Sequence, residues 1–250
     1  MAKLGEPASS AGAGVGTTPI SRARGQAEVV DRIKEHILEQ RLAPGDPLPT
    51  ESELCAAIGA SRSSVREAVK TLRALDIVDV RHGHGTYVGR MSLNALVESL
   101  AFRGLLSRSD EHRVLEQVIE VRRTLEQGMA AQIIEGLDGR QRENLYDVAR
   151  EMQDLASRGE DFLEQDRTFH VMLLEPLGND LVLQLTEAFW DVQRIVTPTL
   201  GSVDLDLVTS ADAHVAIVDA AAAADPARMH DAIAEHYAPL LARIAALREQ

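Results

Sequence analysis

The sequence predicts a mainly α protein in two parts, a small N-terminal unit of three helices closed by a β-hairpin and a larger C-terminal unit made of helices alone. Three observations carry this. Between Gln26 and Leu75 apolar residues recur three and four apart, in runs separated by glycine and proline. One stretch, IVDVRHGHGTYV (Ile77 to Val88), is β-branched on both sides of a glycine-containing turn. From Leu93 onward no segment alternates apolar and polar residues in the way a half-buried strand does. A chain of 250 residues with 45% hydrophobic content can supply two separate cores.

Up to Pro19 the chain is dominated by Gly, Ala, Ser, Thr and Pro, which bury too little to order themselves, so residues 1–25 are predicted to form a disordered tail. A first helix spans about Gln26 to Gln40, with Val29, Val30, Ile33, Ile37 and Leu38 as its apolar set, and LAPGDPLP ends it. Thr50 and Glu53 form a capping box for a second helix whose apolar residues are Leu54 and Ile58 and whose stop is Gly59. Ser61 caps a third, SRSSVREAVKTLRALD. Its apolar face is Val65, Ala68, Val69, Leu72 and Leu75, while Arg62, Arg66, Lys70 and Arg73 project together from another face. Three short helices and a hairpin, with a basic third helix, make a winged helix-turn-helix over residues 26–90. Such a helix fits the DNA major groove, with Arg62, Ser63, Ser64 and Arg66 in its leading turns.

In the second unit, residues 93–250, helices are predicted at roughly 93–107, 110–135, 140–157, 160–174, 179–196, 205–223 and 226–248. Breaks fall at SRSD, EGLDG, SRGED, PLGND, TPTLGSVD and AADP.

Net charge is −13, unevenly spread. Residues 1–90 hold 12 Lys+Arg against 11 Asp+Glu, and the remainder holds 14 against 28. Phosphates repel an acidic domain, so any nucleic-acid contact falls to the first unit. No apolar run approaches membrane-spanning length and the first residues lack the hydrophobic centre of a secretory signal, so a cytoplasmic protein is expected. The single cysteine, Cys55, cannot form an internal disulfide and reads as a small buried apolar residue. Trp190 and Phe189 read as core, and His36, His112 and His230 as exposed or structural.

The acidic half has its own constellation. Asp166 and His170 stand four apart, hence side by side on one helix face, while His214 and His236 lie in two further predicted helices. One carboxylate and three imidazoles converging inside a bundle suit a borderline divalent ion such as zinc, nickel, cobalt or manganese. Histidines on half-apolar helices also serve as hydrogen-bonded structural residues, and spacing alone does not separate the two. A metal-dependent enzyme with an accessory DNA-binding domain is the alternative to a regulator, although no separate base or nucleophile stands out.

The stretch from Leu48 to Val88, with its Pro-x-Glu, Ser-Arg-x-x-Val-Arg-Glu-Ala and Gly-x-Gly-Thr elements, resembles the DNA-binding domain of the GntR superfamily of transcription regulators. Residues 93–250 resemble the FCD effector domain of its FadR-like branch, in VIEVRRTLE, Asp-x3-His and LGND. The resemblance implies operator contacts by Ser61, Arg62, Ser63, Ser64 and Arg66, and minor-groove contacts by the wing residues His82 and Gly83. Many members carry arginine directly after the glutamate of Pro-x-Glu, where this chain has Ser52. It also implies a metal held by Asp166, His170, His214 and His236, and a small carboxylate effector held with Arg122. Arg122 equally has the i,i+4 spacing of an ion-pair partner for Glu126. The expected protein is thus a homodimer on a palindromic operator, a repressor controlled by an organic acid.

Overall fold

The computed structural model describes residues 19–106, 108–197 and 206–248, with side chains described from residue 25 onward except at 108–111 and 248. Contacts divide them into two compact units, with the boundary between Met91 and Ser92.

The first unit opens with α1 (Pro19–Glu39). Its start precedes the expected one at Gln26, so residues 19–25 of the anticipated tail are helical, and residues 1–18 lie outside the described residues. Burial was the wrong criterion at this point. Once the amphipathic turns of α1 have formed, each added residue gains a helical hydrogen bond, and Pro19 at the first position needs no N–H partner.

Val30, Ile33 and Ile37 of α1 pack into one core with residues of α2 (Glu51–Ile58), α3 (Arg62–Ala74) and the hairpin β1 (Val78–Arg81) and β2 (Gly85–Val88). The capping box on α2 is formed, Glu53 Oε2 accepting from Thr50 N at 2.8 Å and Thr50 Oγ1 from Glu53 N at 3.4 Å. Gly59 then ends α2 in the left-handed region (φ 65°), which turns the chain sharply into α3. The strands pair antiparallel with Val78 opposite Val88 and Arg81 opposite Gly85. Cys55, expected to be buried, is only partly so; it borders the core with Val69 and Ile77 rather than filling it.

The second unit contains α4 (Asn94–Leu105), α5 (Arg108–Gly128), α6 (Ala130–Gly136), α7 (Gly139–Ser157), α8 (Leu163–Leu174), α9 (Asp180–Val196), α10 (Leu207–Ala222) and α11 (Pro226–Arg248). The single helix expected over 110–135 is two. The break falls at Met129, after Gly128, and Met129 N–H is shared between the carbonyls of Leu125 (3.1 Å) and Glu126 (3.3 Å). The redirected α6 brings Gly136 against Pro176 so closely that a Cβ there would stand 2.9 Å from the Pro176 carbonyl oxygen. The start of α8 is also later than expected, because Phe162 turns into the core and Asp161 Oδ1 accepts from Leu163 N at 3.2 Å.

One core joins α5 to α8 with α10 and α11, and a second joins α4, α5 and α9. Polar side chains are buried on α5 (Arg122, Glu126), α8 (His170), α9 (Thr186, Gln193) and α10 (His214).

Candidate metal centre and nucleic-acid interface

At the start of α3, Ser61 Oγ accepts from Ser64 N at 3.2 Å and lies 2.9 Å from both the Ser63 and Ser64 hydroxyls. The three serines thus satisfy the helix N-terminus while staying at the surface, where unpaired N–H groups and hydroxyls can meet phosphate oxygens. Arg62 is exposed beside them. Arg66 is also exposed, but it is not free: its Nε stands 2.9 Å from both carboxylate oxygens of Glu51. That contact holds the Glu51 carboxyl below its ordinary range and raises Arg66. His82 and Gly83 form the exposed turn of the hairpin, Gly83 with φ 78°, a conformation that favours glycine. Arg81 lies over the Tyr87 ring at 4.1 Å, and the Tyr87 hydroxyl donates to His84 O, which stiffens that turn.

In the second unit, Asp166 and His170 of α8 meet His214 of α10 and His236 of α11, and one ligand atom from each lies within 4.8 Å of all the others. Asp166 Oδ1 stands 3.0 Å from His214 Nε2 and 3.2 Å from His170 Nε2, and the two Nε2 atoms of His170 and His236 are 3.2 Å apart. Donors about 2.1 Å from one ion and at right angles to each other are about 3 Å apart, so these spacings are compatible with neighbouring ligands on a single cation as well as with direct hydrogen bonds.

The hydrogen bonding points the same way. His214 Nδ1–H donates to the Ser210 carbonyl at 2.9 Å, which turns the Nε2 lone pair toward the Asp166 carboxylate. Two lone pairs facing each other at 3.0 Å repel, so either a proton on Nε2 or a cation between the two atoms holds this contact. His170 Nδ1 stands 2.9 Å from Glu126 Oε1, a close charge contact that is not aligned as a hydrogen bond. The Glu126 carboxylate is orienting that ring from behind, as carboxylates behind metal-bound imidazoles do. His236 Nδ1 has no hydrogen-bond partner among the described residues. Burial, reinforced by its two histidine neighbours, keeps the His236 ring well below the usual imidazole range and therefore neutral, a lone pair ready for a metal. Burial also opposes charge on Asp166, but the bonds from His170 and His214 prevail and hold its carboxyl well below the ordinary range.

Arg122 is buried, at 3% exposure, so it is not a surface ion-pair partner of Glu126. Its Nη1 donates to Gln193 Oε1 at 2.6 Å and its guanidinium lies 3.8 Å over the Trp190 ring. Glu126 is taken instead by Tyr237, whose hydroxyl donates to Oε1 at 2.8 Å. Arg122, Asp166, Gln193, His236 and Tyr237 open together onto a cavity of ≈ 420 Å³.

Glu126, Gln193 and Tyr237 were not recognised from sequence as members of this site. Trp190 is core, as read, but one ring face also carries Arg122. The available signal was Glu126 following Leu115, Ile119 and Arg122 on one stripe of α5; its partners lie 44 and 111 residues away.

Comparison with known proteins places both units. The family "Bacterial regulatory proteins, gntR family" matches residues 25–88 and "FCD domain" matches residues 117–239. The "Putative transcriptional regulatory protein NedR" of Micromonospora viridifaciens is 59% identical over 104 residues, 42% of this chain and 75% of that protein. The "HTH-type transcriptional repressor NanR" of Cronobacter sakazakii is 29% identical over 98% of this chain and 95% of its own length. The solved structure of Streptococcus agalactiae GntR superposes with a TM-score of 0.64 at 27% identity, over 87% of this chain and 99% of that one. With a basic helix and wing in one unit and a polar cluster inside the other, the chain belongs to the GntR family of regulatory proteins and carries an FCD domain: it is a DNA-binding transcription regulator, not an enzyme.

Proposed function

We propose that this regulator is a repressor whose operator binding is relieved by a small organic carboxylate held in the second unit. The carrying observation is that Arg122 and the Asp166/His236 edge of the cluster face one cavity. Asp166, His170, His214 and His236 would hold a divalent ion, zinc being the natural choice for three imidazoles and a carboxylate, with nickel, cobalt or manganese as alternatives. Such an ion supplies a compact positive charge beside the guanidinium. Arg122 is suited to the carboxylate because its planar donors are already oriented by Gln193 and Trp190, so little side-chain entropy remains to be lost.

On DNA, Arg62 and Arg66 read the major groove, Ser61, Ser63 and Ser64 hold phosphates, and His82 and Gly83 approach the minor groove. The protein acts as a homodimer on a palindrome, since a two-fold protein matches a two-fold site. A ligand changes operator affinity only as far as it binds the DNA-competent and DNA-incompetent arrangements differently, typically by about 1–3 kcal/mol, or several-fold to a hundredfold. The test is a thermal-shift screen of small organic acids, followed by operator titration with each hit at saturation. The expected result is weaker operator binding in the wild type and no such response in Arg122→Ala. If no saturating acid alters operator affinity, the coupling is wrong.

A further inference from the structure

The cavity that carries the proposed effector site is strongly two-ended, and that asymmetry bears on what the effector looks like. At the cluster end, where Asp166 would be engaged by the ion, the groups that Arg122 and Gln193 leave free are donors. Arg122 Nε has no partner among the described residues, and Gln193, whose Oε1 is already taken by Arg122, has only its amide N–H groups left to offer. That end accepts an ionised, acceptor-only head, a carboxylate.

Away from it the wall is Leu115, Phe162, Leu163, Leu207, Pro239 and Leu240. Several of the polar groups interspersed with this wall are already engaged. Asp206 caps α10 by accepting from Val208 N, Thr209 N and the Thr209 hydroxyl. Asp161 accepts from Leu163 N, and the Ser210 carbonyl accepts from His214. Two carboxylates, Asp161 and Asp206, therefore line the cavity, and among the described residues no ion pair is formed by either. A second negative charge on the ligand meets repulsion there, and hydroxyl groups along its body meet leucines that cannot replace their water. Thr197, whose buried Oγ1 finds no partner among the described residues, offers a place for one polar substituent.

Building on the carboxylate site proposed above, we infer that the effector is a monocarboxylate with a branched or aromatic apolar body bearing at most one hydrogen-bonding group, rather than a dicarboxylate or a polyhydroxylated sugar acid. The head is selected by charge and the body by exclusion of polar groups.

The experiment uses the full chain loaded with zinc and titrates it calorimetrically with acetate, 4-methylpentanoate, phenylacetate, gluconate and glutarate. 4-Methylpentanoate or phenylacetate is expected to bind at least about tenfold more tightly than gluconate and glutarate, the effect of a single unmatched hydroxyl or charge. Leu240→Gln, and separately the half-buried Leu207→Gln, are expected to weaken the apolar acids about fivefold or more while leaving acetate within about twofold, because acetate occupies the head end alone. If gluconate or glutarate binds as tightly as the apolar acids, or if neither leucine variant separates them from acetate, this inference is overturned while the carboxylate site stands. If none of the five acids binds, or all bind Arg122→Ala as they bind the wild type, the carboxylate site itself is rejected and this inference falls with it.

Discussion

Glu51, in the first turn of α2, grips Nε of Arg66 in α3 with both carboxylate oxygens at 2.9 Å. The grip takes one edge of the guanidinium and leaves its outer amino groups for a base edge or a phosphate, so Glu51 acts as a brace for the reading residue. Arg66→Ala is expected to weaken operator binding by roughly 1–3 kcal/mol. Glu51→Gln, which keeps the shape but not the charge, is expected to lose part of that and to lower the preference for operator over random DNA. Fluorescence anisotropy at several salt concentrations measures both. Equal binding by wild type and an Arg62/Arg66 double alanine variant removes α3 from the interface.

The convergence of Asp166, His170, His214 and His236 predicts close to one divalent ion per chain in protein purified without chelator. His214→Ala is expected to lose most of it, and chelation to lower the melting temperature of the wild type, because an ion bound only by the folded state stabilises it by mass action. Elemental analysis that finds no metal even after reconstitution makes these histidines a polar network.

Stabilisation by the metal is expected to grow as pH rises through and above 6.5, the ordinary imidazole value. Burial alone would lower His170, but the nearby Glu126 carboxylate, with Asp166, outweighs it and raises the ring. A group raised in the folded state contributes stability that is complete below its unfolded value and is lost as pH climbs through the folded one, so the metal-free protein weakens on that climb. The metal requires the neutral ring, and over the same range it gains. Melting curves with and without zinc between pH 5.5 and 8.5 should therefore diverge as pH increases; parallel curves contradict the assignment of His170 as a ligand.

Two glycines make a stability pair. A Cβ on Gly89 would stand 2.0 Å from the Asp76 carbonyl oxygen, which is backbone and cannot swing away, whereas one on Gly139, in the first turn of α7, meets nothing within 4 Å. Gly89→Ala is expected to cost about 1–3 kcal/mol. Gly139→Ala is expected to be neutral or to stabilise by up to about 1 kcal/mol through reduced freedom of the unfolded chain. Denaturant unfolding followed by circular dichroism decides both.

The parts of this fold that were legible in the sequence are those set by neighbours along the chain. Thr50 and Glu53, Ser61 and the hairpin around Gly83 are local devices, and each is present. The break at Met129 was not legible, because apolar spacing continues through it; the redirected α6 then packs Gly136 against Pro176, far along the chain. The same distinction holds within the candidate site. Asp166 and His170 were paired by their spacing, but Glu126, one helical turn from Arg122, was offered the wrong partner. Its i,i+4 neighbour turned inward to Gln193 and Trp190, contacts that only the folded bundle creates.

Pro239 lies inside α11, three residues beyond His236, and has no N–H to return to the carbonyl of Glu235. In mechanical terms the helix has one rung missing from its ladder at that level. His236 and Tyr237 sit just before the gap, while Leu240 sits just after it. A molecule that touches the cluster with its head and Leu240 with its body would straddle the most compliant point of the helix, so its length, and not only its charge, would set how far the two halves of α11 are levered apart.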